Sequence, residues 1–209
     1  MFEKIFETPW YVYLLLIALI ALGIVTLRHK KLTVKELAYA ALSISVAFVL
    51  SLFRLYRMPS GGSVTPAAML PLIIYVLAFG PFPGLLAGCA FGLLKLLEDP
   101  YVIHPIQFIV DYPMAYGAMI LCCVVRVLPD KLQRYKLPIA CVLGYIARWI
   151  MAVISGAVFF AEYAGDQNAF IYSMVYNATY LGVECALATL IACIPAVGKL
   201  VDIITTKKT

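Results

Sequence analysis

Three polar residues stand inside an apolar stretch that is long enough to cross a bilayer. His104, Gln107 and Asp111 follow one another at spacings of three and four within residues 104–125, so on a helix they share one face. A charged side chain near a bilayer centre costs about 2.5 to 3.5 kcal/mol, and such groups face a polar cavity or an opposite charge. At the rise of an α-helix, Asp111 lies roughly 10 Å below the helix start. The pattern predicts a carboxylate in the outer third of the membrane that meets a cationic ligand; pairing with a basic side chain of another helix is the alternative.

Aromatic and amide side chains accompany this carboxylate. Tyr112 adjoins Asp111, and the apolar run at 170–195 carries a polar stripe on one helix face, made by Ser173, Asn177, Tyr180 and Glu184. One carboxylate with several amides and aromatic rings predicts a pocket for a small cation with a planar ring, held by charge pairing and cation–π contact. Hydrogen bonding between helices is the alternative for the stripe. Glu184 is predicted to be structural, with Arg148 or Lys95 as its ion-pair partner.

Motifs that carry catalysis are missing from the chain. It contains no GxxxxGK[ST] phosphate loop, no HExxH and no GxSxG, which argues against ATP hydrolysis, metalloprotease and serine-hydrolase chemistry. Its two histidines are isolated, and its six cysteines lie in apolar runs without a paired CxxC. The 16 basic residues against 11 acidic ones form no stripe of the kind that binds nucleic acid. We therefore expect a protein that is not an enzyme, with no metal, no cofactor and no nucleic-acid partner.

The elements that must position these residues are membrane helices. The chain is 64% hydrophobic and only 13% charged, and its mean hydropathy is +0.97; soluble domains have about 25% charged residues. Apolar runs occur at 9–27, 34–53, 67–79, 83–97, 105–127, 137–161 and 170–195. Compared with the ~20 residues that span a bilayer, the third and fourth are short. The sequence predicts an all-α integral membrane protein with seven helices.

Basic residues predict the orientation of these helices. With the N-terminus outside, most of the lysines and arginines between the helices fall on the cytoplasmic side, among them "RHKK" after the first run and "KLQRYK" before the sixth. The reverse orientation violates the positive-inside rule. We therefore expect a multi-pass protein of the cell membrane with its C-terminus in the cytoplasm.

Four ordered motifs resemble one known family. The segments "MPSGGSVTPAAMLP", "GLLKLLEDPYVIHPIQFIVDYPMAYG", "ISGAVFF" and "YSMVYNATYLGVE" are similar to the ThiT (YuaJ) family, the thiamine-binding S components of energy-coupling-factor (ECF) transporters. The resemblance implies a six-helix S component at 34–209. Hydropathy adds an extra transmembrane helix and basic cytoplasmic loop at 1–33, which is a departure from the family. The resemblance also implies thiamine as ligand, and a transmembrane coupling subunit with two cytoplasmic ATPases as partners. By motif, the implied ligand contacts are Asp111, Tyr112, Phe160, Tyr172 and Asn177. The spacing adds His104 and Gln107, on the helix face of Asp111, as predicted ligand-binding residues.

The helix at 34–53 carries small residues in rows. Ala38, Ala41 and Ser45 share one face, and small residues let membrane helices approach closely. In the family that the chain resembles, such a surface meets the coupling subunit; tight packing within the bundle is the alternative. The loop "PSGGSV" is flexible enough to cover the outer site as a lid, with a plain turn as the alternative.

Other functions remain as hypotheses beside thiamine binding. The chain has Asp111, Phe160 and Ala152 where members of the family often have glutamate, tryptophan and histidine, so an S component for another pyrimidine or cationic vitamin precursor is the second hypothesis. An intramembrane enzyme would pair Asp111 with Glu184, although they lie on different helices at different depths. A structural scaffold is the last hypothesis, and it would not need the carboxylate at all.

Overall fold

Residues 31–206, together with Ile17, are described by the computed structural model of the chain. The predicted first helix at 9–27 lies outside the described residues except for Ile17. Between residues 34 and 206 there are seven main helices, two short 3₁₀ helices (Asp130–Tyr135 and Ala161–Ala164) and one small hairpin. The helices are α1 (Val34–Leu52), α2 (Leu70–Phe79), α3 (Pro81–Glu98), α4 (Pro105–Val127), α5 (Lys136–Phe159), α6 (Ala169–Ala192) and α7 (Pro195–Thr206). Strands β1 (Tyr56–Arg57) and β2 (Ser63–Val64) pair antiparallel.

Most of these helices are long and apolar enough to span a membrane. Candidate spans cover α1, α3, α4, α5 with the turn before it, and α6. Large apolar side chains are exposed along their outer faces, for example Leu42, Leu121 and Val175, as expected where lipid takes the place of water. The prediction of an all-α membrane fold is confirmed.

Helix α2 forms the centre of the bundle. Apolar on every side, it has buried side chains from Leu72 to Phe79, and a helix that is apolar all round belongs inside a protein or a membrane. It has 10 residues and is only about 15 Å long. The longer helices around it therefore cover it along its whole length. Gly80, at φ 100°, then turns the chain directly into α3. Helix α3 has 18 residues, so the prediction that it is short was wrong. It is longer than the predicted run at 83–97 because proline is tolerated in a first helical turn, which lets the helix begin at Pro81.

Helix α4 is irregular along its length. His104 caps its start, since Nδ1 accepts a hydrogen bond from the Ile106 amide at 3.1 Å. A π-helical segment at Val110–Met114 contains Pro113, whose missing N–H interrupts the regular hydrogen-bond ladder. From Ala118 the helix winds as 3₁₀ turns to Val127. Asp111 therefore lies in a π-helical turn, the one such turn among the described residues.

Helix α1 has a second row of small residues beside the first, made by Ala40, Ser43 and Ala47, and the two rows differ in burial. Ala47 is fully buried against the bundle, whereas Ala38, Ala41 and Ser45 are exposed. Internal packing of α1 thus uses the row that contains Ala47. The other row is left free on the outer surface of the described structure.

A final helix, α7, was not predicted. Lys199 and Asp202 interrupt its hydropathy, and it is an amphipathic helix that buries Val201 against the bundle. It packs on α2 and α6.

Candidate functional site

A cavity of about 420 Å³ opens at one end of the bundle. Pockets for small organic ligands typically measure about 300 to 1,000 Å³, so this cavity is large enough for a molecule with two small rings. Its walls come from the ends of α3 and α4, from α5 and α6, and from the hairpin at residues 56–64. Lys95, Tyr101, Asp111, Ser155, Phe160 and Tyr176 represent these walls in chain order.

Two carboxylates line the cavity, Asp99 and Asp111, and Asp99 is ion-paired with arginines. Asp111 Oδ2 accepts a hydrogen bond from Gln107 Nε2 at 2.5 Å. Gln107 is held in turn, because Nε2 donates to the Tyr101 carbonyl at 3.1 Å and Oε1 accepts from the Ile103 amide at 3.2 Å. The ion pairs found among residues 31–206 do not include Asp111. The carboxylate is thus oriented but not neutralised within the described structure.

Aromatic rings form the wall around this carboxylate. Tyr101 stacks on Phe160 with ring centroids 5.8 Å apart, and its hydroxyl lies 3.0 Å from that of Tyr163. Tyr172 stacks on Tyr176 at 5.8 Å. The hydroxyl of Tyr112 donates to the Asp99 carbonyl at 3.1 Å, which fixes this ring beside the cavity. Such a wall suits a planar cation.

The opposite wall is polar and is made by α5 and α6. Asn177 Nδ2 donates to the Ser173 carbonyl at 2.9 Å, and Asn177 Oδ1 accepts from the Tyr180 hydroxyl at 2.9 Å. An amide oxygen has two lone pairs, so Oδ1 keeps capacity for a ligand donor. Ser155 Oγ also lines the cavity and is buried, and it makes no hydrogen bond of normal geometry within the described part of the chain.

The floor of the cavity is an ion-paired cluster. Arg148 bonds Glu184 at 3.3 Å and donates to the Tyr116 hydroxyl at 2.9 Å, with its guanidinium 4.4 Å over the ring of Tyr116. The prediction that Arg148 or Lys95 pairs with Glu184 is confirmed for Arg148. Lys95 pairs instead with Glu98 at 2.5 Å. Glu184 lies below the cavity that Asp111 lines, so the structure does not bring these two carboxylates together as an acid–base pair.

The hairpin covers the cavity. Arg54, which precedes it, bonds Glu98 at 2.8 Å and Asp99 at 3.1 Å. The hydrogen bond to Glu98 is the main reason why the pKa of Arg54 lies above its usual value. Arg57 bonds Asp99 at 3.0 Å. Gly61 and Gly62, at φ 94° and 88°, make the turn at its tip, in a region of backbone conformation that glycine adopts readily.

Six of the seven residues predicted for ligand binding line this cavity: Gln107, Asp111, Tyr112, Phe160, Tyr172 and Asn177. His104 does not; it caps α4, and its ring stacks on Phe159 at 5.1 Å. Sequence reasoning missed Ser155. It lies two helical turns from Arg148 on the same face of α5, and this spacing could have identified it. It also missed the basic residues Arg54, Arg57 and Lys95, since nothing local indicates that the hairpin and α3 reach the site. Tyr101 also lines the cavity.

Comparisons with known proteins agree on one family. The family model described as "Thiamine transporter protein (Thia_YuaJ)" matches residues 37–202. The thiamine transporter ThiT of Bacillus subtilis (strain 168) is 33% identical over 147 residues, covering 66% of this chain and 76% of that protein. A solved structure of ThiT from Listeria monocytogenes superimposes with a TM-score of 0.59 at 24% identity, over 79% of this chain and 92% of that one. The structural match shows the fold.

Proposed function

Since the chain belongs to the thiamine transporter protein family, a family of multi-pass membrane proteins and not of enzymes, we propose that it is the thiamine-binding S subunit of an ECF transporter. It captures thiamine from outside the cell. A transmembrane coupling subunit and two cytoplasmic ATPases then supply the energy for delivery. The N-terminus lies outside and the C-terminus in the cytoplasm, an orientation that a fluorescent protein fused to the C-terminus can test by maturing in the cytoplasm.

The carboxylate of Asp111 carries this proposal. It lies in an aromatic cavity, it is oriented by Gln107, and it has no ion-pair partner among the residues that the structure describes. A carboxylate in a membrane domain is retained where it meets a charge. Thiamine brings a permanent positive charge on one planar ring, so binding compensates the charge of Asp111 at the moment when the site closes.

The rest of the cavity matches the remainder of the ligand. Tyr112, Phe160 and Tyr172 provide ring faces for the two planar rings of thiamine, and Asn177 provides an acceptor for its exocyclic amino group. His104 does not contact the ligand in this scheme. It caps the helix that presents Gln107 and Asp111.

The exposed row on α1 is the surface proposed for the coupling subunit. Ala38, Ala41 and Ser45 lie on the outside of the bundle, and their small side chains allow another membrane helix to approach closely. The row does not contribute to the cavity lining, so the protein can hold its ligand and its partner at the same time.

Calorimetry on purified protein in detergent tests the thiamine site. Asp111→Asn keeps the size of the side chain and a hydrogen-bond partner for Gln107 but removes the charge. Loss of one member of a desolvated charge pair costs about 2 to 5 kcal/mol, so thiamine affinity should fall by about 30-fold or more. Asp166→Asn, at an exposed position outside the cavity lining, is the matched control and should bind thiamine as the wild type does.

Two outcomes would count against the proposal. A folded wild-type protein that ignores thiamine but binds another pyrimidine or cationic vitamin would keep the S-subunit role and change the ligand. Equal thiamine affinity in wild type and Asp111→Asn would remove charge pairing from the mechanism.

A further inference from the structure

The hairpin at residues 56–64 cannot hold its position alone. Its ladder has only the two pairs Tyr56–Val64 and Arg57–Ser63, and an isolated two-stranded hairpin is at best marginally stable. Because its residues from Arg57 to Ser63 line the cavity, whatever holds the hairpin also closes the site.

Three side chains of α6, spaced four residues apart, contact the segment from Ser60 to Thr65. The hydroxyl of Tyr176 accepts from the Ser60 amide at 3.0 Å and donates to the Gly61 carbonyl at 2.9 Å. The ring of Tyr180 packs against Gly62 so closely that an added Cβ would lie 2.9 Å from it. One turn deeper, Glu184 contacts Thr65. The descending strand of the hairpin therefore lies along one face of α6.

The contact at Glu184 is the most buried of the three. Its Oε1 accepts from the Thr65 amide at 2.7 Å and also from the Thr65 hydroxyl, and its Oε2 accepts from Arg148 at 3.3 Å. Thr65 and Glu184 are 4% and 2% exposed. Charge-assisted hydrogen bonds in such surroundings are the strong ones, so this is the firmest attachment of the hairpin to the bundle.

The backbone next to this attachment is strained. Ala67 has φ 59°, a left-handed conformation that side chains with a Cβ adopt rarely and that persists where the surroundings enforce it. The Ala67 amide donates to the Thr65 carbonyl at 2.8 Å, and the Leu70 amide donates to the Ala67 carbonyl at 2.9 Å. Thr65 thus belongs to a tight turn that connects the hairpin to the central helix α2.

We propose that Thr65 and Glu184 are positioning residues that hold the hairpin closed over the cavity and thereby set the residence time of the ligand. Neither needs to touch the ligand; they act through the hairpin. The ligand's identity rests on the proposed function, whereas the attachment of the hairpin does not.

Dissociation kinetics test this role. Thr65→Val keeps the shape of the side chain and the Arg148–Glu184 pair but removes the hydroxyl donor. We expect bound radiolabelled thiamine to be released about tenfold faster, with an association rate near that of the wild type. The apo melting temperature should be lower, because a buried hydrogen bond to a carboxylate is lost. Thr65→Ser restores the hydroxyl and should restore slow release. Thr189→Val, the same change on α6 away from the hairpin, is the control.

Trypsin cleavage after Arg57 reports hairpin opening without any ligand. In unliganded protein, cleavage at Arg57 relative to cleavage at Arg134 should rise in Thr65→Val and return to the wild-type ratio in Thr65→Ser. Tyr176→Phe loosens the same hairpin at a half-buried position, so it should raise cleavage without impairing folding. Unchanged release and unchanged cleavage in Thr65→Val would overturn the proposal, as would failure of Thr65→Ser to rescue. Wild-type protein that fails to bind thiamine would contradict the proposed function alone, and the cleavage ratio would still decide the role of Thr65.

Discussion

Ser155 is a cavity residue whose hydroxyl adds little to the stability of the fold. A hydroxyl buried without a well-formed hydrogen bond costs stability, and Ser155 Oγ makes none of normal geometry within residues 31–206, although it faces the Asp111 carboxylate in the cavity. Ser173, on the facing helix, is different, because its hydroxyl donates to the Val153 carbonyl at 3.0 Å. The unpaired hydroxyl is therefore the group that a ligand is best placed to satisfy.

Ser155→Ala should have opposite effects on stability and on binding. Removing the unpaired hydroxyl should leave the unliganded protein equally stable or more stable by about 1 kcal/mol, while thiamine affinity falls several-fold because one ligand contact is lost. Ser173→Ala, which loses a satisfied hydrogen bond, should lower the melting temperature instead. Melting curves and calorimetry on the three proteins check this, and a less stable Ser155→Ala protein with normal affinity would assign Ser155 to the fold.

At the scale of elements, the close approach of α3 to α4 sets the position of the carboxylate. A Cβ on Gly88 would lie 2.6 Å from the Tyr116 carbonyl oxygen, and one on Gly92 would overlap the Tyr112 carbonyl. These glycines are spaced four apart, so the small face of α3 lies directly against the backbone of the irregular helix that carries Asp111 and Tyr112. Backbone contact of this kind is what small residues permit between membrane helices.

Gly92→Ala should therefore weaken ligand binding although Gly92 does not line the cavity. The added methyl meets backbone, which cannot rotate away, so we expect a loss of about 1 to 3 kcal/mol in stability and weaker thiamine binding as α4 is displaced. Gly182→Ala is the matched control on α6, where nothing lies within 4 Å of an added Cβ. It should be neutral or stabilising by up to about 1 kcal/mol because alanine favours helix. Equal melting temperatures for the two variants would exclude this role of the α3–α4 contact.

For the whole molecule, α1 connects two surfaces. Its C-terminal end continues through Arg54 into the hairpin over the cavity, and its exposed small-residue row faces away from the bundle. Ser51, in the last turn of α1, donates to Glu98 at 3.0 Å, so α1, α3 and the base of the hairpin meet in one polar cluster. The helix proposed to meet the coupling subunit is thus continuous with the segment that covers the ligand.

Ala41→Leu tests the partner surface independently of the ligand site. The larger side chain should block close helix approach, so co-purification of the coupling subunit should fall severalfold while thiamine affinity stays at the wild-type value. Ala186→Leu, the same change at an exposed position of α6, should leave the complex intact. If both variants assemble normally, the partner does not use the row on α1.

Periodicity in the sequence by itself determined much of this protein. Helical spacing placed Gln107 and Asp111 on one face, and they are hydrogen-bonded in the fold; hydropathy predicted the all-α membrane class. Both succeed because they depend on interactions within one helix, whose geometry is fixed by its own backbone.

Tertiary packing decided what helical periodicity could not. Tyr172 and Asn177 lie about 140° apart around α6, yet both line the cavity, because the hairpin and α5 enclose that helix end from two sides. His104 shares the face of Asp111 but is turned into a helix cap, and Lys95 reaches the cavity while pairing with Glu98. Which of several polar side chains meets the ligand depends on contacts between segments distant in the chain, such as Thr65 with Glu184, and no local pattern records those contacts.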